Sequence, residues 1–79
     1  MVTEILVPTD LKSDVGLSVG RWLKRLGDPV SCDEPLVEID TDNVTREIRA
    51  SVTGILSNVL VRDGGSIDHG TLLGTITED

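Results

Sequence analysis

The sequence predicts an all-β fold, small antiparallel sheets closed into a sandwich or barrel, and three of its features carry the prediction. Apolar runs are short and rich in β-branched residues. Turn-forming clusters, "KSD", "LGDP", "CDEP", "DTDN", "RDGG" and "DHG", punctuate them at short intervals. The second half of the chain also repeats the first at a fixed offset. Short strands at this spacing suit a sandwich or barrel.

Taken in order, "VTEILV" (2–7) reads as a strand closed by Pro8, followed by a long loop over about 8–18. "VGRWLKRLG" (19–27) is the one helical candidate. "PLVEI" (35–39), "VTREI" (44–48), "GILSNVLV" (54–61) and "TLLGTI" (71–76) read as strands. From 44 to 50, Val44, Arg46, Ile48 and Ala50 alternate with Thr45, Glu47 and Arg49, the pattern of a strand with one covered face. Trp22, the one aromatic residue, offers more apolar area than any other side chain and is expected to anchor the core.

Sliding the chain by 37, the separation of Gly27 and Gly64, lays "LGDPVSCDEPLVEI" (26–39) over "DGGSIDHGTLLGTI" (63–76). Gly27 then meets Gly64, Val30 meets Ile67, Leu36 meets Leu73 and Ile39 meets Ile76. Upstream, Leu23 meets Leu60, Arg25 meets Arg62 and Val7 meets Val44. The matches fall on glycines and apolar positions, where folding constrains sequence most. Two similar halves of about four short strands each make a two-sheet sandwich with approximate twofold symmetry. "DTDN" then lies at their junction, in a tight turn.

At 79 residues the chain makes one small domain, 1–79, and a domain of this size buries only about 60% of the surface its unfolded chain exposes. A single cysteine, Cys32, rules out an internal disulfide or a multi-cysteine zinc site, points to a reducing compartment, and is expected buried or half-buried. With seven basic against fourteen acidic residues the net charge is −7, and with one aromatic residue there are neither clustered cations for phosphates nor stacking platforms for bases. Nucleic acid is not the expected partner. No apolar run reaches the ~20 residues of a membrane span, and "MVTEILVP" lacks the basic region and length of a signal peptide, so neither membrane nor leader is expected.

"RWLKRLGDPV", "DEPLVEIDTDNV", "EIRASVTGIL" and "VRDGGSIDHGTLLGTI" together resemble the lipoyl domain of the acyltransferase component of 2-oxo acid dehydrogenase complexes, over roughly residues 2–78. The resemblance implies a flattened barrel or sandwich of two four-stranded antiparallel sheets with quasi-twofold symmetry. In that family the corner reads acidic-Thr-Asp-Lys and a small apolar residue, and the lysine carries lipoic acid in amide linkage. Asp40, Thr41, Asp42 and Val44 match, and Asn43 stands at the lysine position. Biotinyl domains share the fold but usually flank their lysine with methionines, and Met1 is the one methionine here, which favours the lipoyl branch. Two further departures are Leu17, where the repeat and many members have glycine, and Arg46, where a small or apolar residue is common. Leu17 bears on the path of the 8–18 loop, and Arg46 on the surface beside the corner.

Lipoylation requires a primary amine to attack the carbonyl of lipoyl-adenylate. A carboxamide nitrogen, its lone pair delocalised into the carbonyl, does not do so, and no lipoic acid is expected on the chain as written. The lysines, Lys12 and Lys24, lie outside the corner. Read without the resemblance, "DTDN" is an ordinary turn in which Asn tolerates the left-handed conformation. Asp40 and Asp42 invite a calcium reading, but Val44 and Thr45 occupy the positions where an EF-hand loop needs a further ligand and a glycine, so no metal is expected. Ser66, Asp68 and His69 lack the elbow of a hydrolase, and Gly64–Gly65 precede no helix that would cradle a phosphate.

The resemblance thus implies a non-catalytic carrier domain, monomeric in isolation, from a larger acyltransferase. Its implied partners are a 2-oxo acid decarboxylase, the acyltransferase core and the flavoprotein dihydrolipoamide dehydrogenase, with lipoate ligase for a lysine-bearing form. Val44 and "DEPLVEIDTD" lean toward the succinyl-transferring 2-oxoglutarate branch. Bacterial cytoplasm or mitochondrial matrix is the implied location. The alternative is a non-lipoylated interaction module of the same fold, using the acidic surface and the 8–18 loop. An autonomous enzyme has no nucleophile, base and pocket to support it.

Overall fold

The computed structural model describes residues 1–11, 16–42 and 44–78. Eight strands are present: β1 Val2–Leu6, β2 Leu17–Trp22, β3 Pro29–Val30, β4 Pro35–Asp40, β5 Thr45–Arg49, β6 Gly54–Val59, β7 Ser66–Ile67 and β8 Leu72–Thr77. They form two four-stranded antiparallel sheets, in the orders β1-β8-β6-β3 and β5-β4-β2-β7. Each sheet holds strands from both halves of the sequence, so neither half forms a sheet alone. The sheets stay separate, a sandwich rather than a closed barrel.

The helical reading of 19–27 does not hold. Leu17–Trp22 is a strand, and no helix occurs among the described residues, so none is long and apolar enough to cross a membrane. Val19, Trp22, Leu23 and Leu26 have helical spacing, but Val19 pairs with Ile39 and Trp22 with Val37 across an irregularity at Gly20. Tertiary pairing has overridden a short local pattern.

Quasi-twofold symmetry extends to the register. Strands β2, β3 and β4 lie over β6, β7 and β8 at the offset of 37. The pairing of β2 with β4 shifts at Gly20 and that of β6 with β8 at Ser57; the pairing of β4 with β5 shifts at Leu36 and that of β8 with β1 at Leu73. The turns repeat as well: the Gly27 N–H donates to the Leu56 carbonyl at 2.8 Å and the Gly64 N–H to Val19 at 2.7 Å. Both glycines have positive φ, 90° and 81°, the left-handed region that glycine enters without a Cβ penalty.

The first strand of each half follows another offset. Ile5 corresponds to Ile48 and Val7 to Ala50, a spacing of 43, because the chain between β1 and β2 is six residues longer than that between β5 and β6. Matching Val7 with Val44 is therefore wrong: Val7 is 1% exposed and Val44 56%. The alternating reading of 44–50 needs the same correction, since only Ile48 and Ala50 are buried and Val44 and Arg46 project beyond the core.

Most of the buried apolar residues form symmetry pairs: Ile5/Ile48, Val7/Ala50, Val19/Leu56, Val30/Ile67, Leu36/Leu73 and Ile39/Ile76. The others, Leu11, Leu17 and Val37, have a physical reason to lack a mate. Leu11 lies in the longer connection, while the mates of Leu17 and Val37 are Gly54 and Gly74, where a Cβ would meet backbone carbonyl oxygens at 2.4 and 2.3 Å. Leu17 is itself buried at the start of β2, opposite Ile67. Of the 8–18 loop, residues 12–15, including Lys12, lie outside the described residues.

Trp22 is half-buried against the core, and its ring approaches Gly74 of the other sheet, while its Nε1–H donates to the Val61 carbonyl at 2.7 Å. Cys32 is exposed rather than buried: it sits in the turn between β3 and β4, with its N–H donated to Thr53 Oγ1.

Candidate functional site

The corner between β4 and β5 is built from side chains that close on their own turn. The Thr41 N–H donates to the Val44 carbonyl at 2.9 Å, Thr41 Oγ1 donates to the same oxygen at 3.0 Å, and the Val44 N–H donates back to Thr41 Oγ1 at 3.1 Å. One step in, Asp40 pairs with Thr45, whose hydroxyl donates to Asp40 Oδ1 at 2.9 Å. Threonine and aspartate are suited to this, since short polar side chains satisfy turn backbone locally. The threonine at 41 thus locks the turn while leaving its outer side chains in solvent.

Asp40, Thr41, Asp42, Val44 and Thr45 line a shallow polar hollow at this tip. Asp42 and Val44 are exposed. Asn43, the residue singled out by the sequence, lies outside the described residues. Asp42 and Val44, its neighbours in sequence, both line the hollow.

Sequence reasoning missed two supports of the corner. Gly20, on β2 beside β4, leaves space that the Asp40 carboxylate occupies: a Cβ there would lie 2.9 Å from both carboxylate oxygens. A glycine inside a strand pattern is a signal of such close approach. Arg46 forms a 3.4 Å ion pair with Asp10, joining the corner's second strand to the connection after β1. Both partners are largely exposed, so this pair guides the surface more than it stabilises the fold.

Symmetry also says what the corner is. Its Thr41 to Val44 bond corresponds, at offsets of 37 and 43, to the Glu78 N–H donating to the Met1 carbonyl at 2.7 Å. The hairpin therefore occupies, in one half, the place that the two ends of the described chain occupy in the other. Corner and chain ends are quasi-twofold mates in a molecule 39 Å along its longest axis.

The other candidates sit elsewhere. His69 Nε2 is hydrogen-bonded to the Leu11 carbonyl, and the Asp68 N–H donates to Thr71 Oγ1. Ser66 lies in β7 opposite Ser18, so these residues fix a turn and a strand. Lys24 forms a 2.9 Å ion pair with Glu34. Its ammonium, with the Ser31 N–H, holds the Glu34 carboxyl below the usual carboxylate range. Among the described residues no three histidine, cysteine or acidic side chains gather to hold a metal.

A family model described as Biotin-requiring enzyme (Biotin_lipoyl) matches residues 3–76. The dihydrolipoyllysine-residue succinyltransferase component of the 2-oxoglutarate dehydrogenase complex of Bartonella vinsonii subsp. berkhoffii is 43% identical over 76 residues, which cover 96% of this chain and 18% of that protein. The component of the same name from Escherichia coli (strain K12) is 43% identical over 75 residues, 95% of this chain and 18% of its own length. Among solved structures, the lipoyl domain of the 2-oxoglutarate dehydrogenase complex from Azotobacter vinelandii superposes with a TM-score of 0.79 at 35% identity, covering 95% of each chain. The chain spans about a fifth of the length of the curated relatives it matches.

Proposed function

Because the chain belongs to the biotin/lipoyl family, we propose that it is a lipoyl-type carrier domain of the succinyl-transferring component of a 2-oxoglutarate dehydrogenase complex. Residue 43 is its attachment position, flanked by Asp40, Thr41, Asp42 and Val44, and Asn43 leaves that position without an amine. The observation that supports this reading is the self-closed turn of Asp40 to Thr45, held at the opposite quasi-symmetric position from the chain ends. The corner's own bonds hold Asp40, Thr41 and Thr45 in place while the flanking Asp42 and Val44 stay exposed.

The domain performs no chemistry itself. In a lysine-bearing form the lipoyl group supplies the redox-active dithiolane that carries acyl groups, and the domain supplies position, recognition and a high effective concentration through tethering. As written, the chain does not fit that group: residue 43 is a carboxamide, and Lys24, on the connection between β2 and β3, is ion-paired with Glu34. The partners in this reading are the decarboxylase, the acyltransferase core and the flavoprotein.

An Asn43→Lys variant, lipoylated in advance, is the substrate for the test. Offered the 2-oxoglutarate decarboxylase component with its substrate and thiamine diphosphate, it gains a succinyl group by mass, with a preference on the order of tenfold over acetylation by the pyruvate component. If the lipoylated variant accepts no acyl group from either, the carrier reading fails, and an interaction module without a covalent role takes its place.

A further inference from the structure

The connections after β2 and β6 meet at a cleft of about 450 Å³ on the quasi-twofold axis. Its lining shows the symmetry: Trp22 and Val59 are mates at the offset of 37, as are Arg25 and Arg62, and Leu26 and Asp63. The volume is that of a ligand site, but the feature is an open, shallow groove rather than an enclosed cavity, which suits a surface-lying segment.

The polar groups of Trp22 are already used. Its backbone N–H donates to Asp63 Oδ1 at 2.9 Å and its Nε1–H to Val61. The ring therefore offers the cleft only carbon, and Leu26, 64% exposed, adds an apolar side chain at the edge.

The charges single out the same place. Of the seven basic residues, Lys12 lies outside the described residues, and Arg21, Lys24, Arg46 and Arg49 are paired with Glu38, Glu34, Asp10 and Glu47. Arg25 and Arg62 are exposed and have no acidic partner among the described residues, although the chain carries fourteen acidic residues. Both line this cleft. The only lysine or arginine side chains without an acidic partner among the described residues of this strongly acidic domain thus stand as symmetry mates at this site.

We infer that this cleft is a docking site for a short acidic peptide segment of a partner protein, an apolar side chain entering over Trp22 and carboxylates engaging Arg25 and Arg62. Guanidinium groups suit this because they meet carboxylates through two parallel hydrogen bonds. The overall charge of −7 repels an extended acidic surface, so recognition is confined to a short segment. The start of β2 lies beside Asp40 and the cleft opens where β2 ends, so an occupied cleft leaves the corner open. This site is independent of what residue 43 carries.

The test uses the ¹⁵N-labelled chain and short acetylated peptides in which glutamates flank one leucine, each matched with its glutamine counterpart. Saturable shifts are expected at the Trp22 indole N–H, Leu26 and Val59, reduced by added salt. In the Arg25→Gln/Arg62→Gln variant affinity falls about tenfold or more, with the fold unchanged, because neither guanidinium has an ion-pair partner among the described residues and the turn bonds at these positions are made by backbone atoms the change keeps. Absence of saturable shifts with every peptide overturns the inference, as do equal binding by the glutamine peptides and undiminished binding by the variant. Concentration-dependent shifts at these residues without peptide also overturn it, in favour of a second copy of the chain.

Discussion

Replacing Leu36 or Leu73 by alanine is expected to lower stability by about 2–5 kcal/mol each, and replacing both is expected to abolish cooperative unfolding. Each leucine is fully buried, and each occupies the irregularity where a central strand pairs with the outer strand of its sheet. A domain of 79 residues has about 4–12 kcal/mol of total stability, so the double change removes most or all of it. In thermal unfolding each single variant should lose roughly 10–35 °C in midpoint. The symmetry makes a stricter claim than the magnitude does, that the two losses are similar. A large loss at one leucine beside a negligible loss at the other would show that the halves do not share the core.

Gly74→Ala is the second large effect, expected to cost about 1–3 kcal/mol or more through overpacking. Its Cβ would lie 2.3 Å from the carbonyl oxygen of Asn58 on β6, so β6 and β8 must move apart to admit it, and 3.4 Å from Trp22 Cη2. Gly64→Ala is the contrast. Beyond its chain neighbours no atom lies within 4 Å of that Cβ, and its cost arises from the φ of 81°, about 1–2 kcal/mol. The distinguishing measurement is the solution spectrum: Gly74→Ala should shift the Trp22 indole N–H strongly and Gly64→Ala should leave it nearly in place.

The offset of 37 was legible because it rests on residues with two reasons to be kept. Val30, Ile67, Leu36, Leu73, Ile39 and Ile76 are all buried, and Gly27 and Gly64 both take the left-handed conformation their turns need. The same slide failed at Val7, because an insertion in the first connection changes the offset without leaving a compositional mark. The two-residue strands β3 and β7 were too short for a periodic signal, and Trp22, Leu23 and Leu26 imitated a helix whose alternative is fixed by partners distant in sequence. At the corner, Asp40, Thr41 and Asp42 were readable as turn chemistry and Thr45 as near the start of the next strand. The room that Gly20 leaves for Asp40, and the Arg46–Asp10 pair, join residues from different strands and loops, so neither is visible in a local window.

The central proposal is that the corner is a presentation scaffold lacking only an amine at residue 43. The most direct measurement is the intact mass of this chain and of its Asn43→Lys variant after incubation with lipoate ligase, lipoate and ATP, followed by peptide mapping. The chain as written should show no change, and the variant should gain one lipoyl group, mapped to position 43. A folded variant that stays unmodified, or that is modified at Lys12 or Lys24 instead, would contradict the proposal.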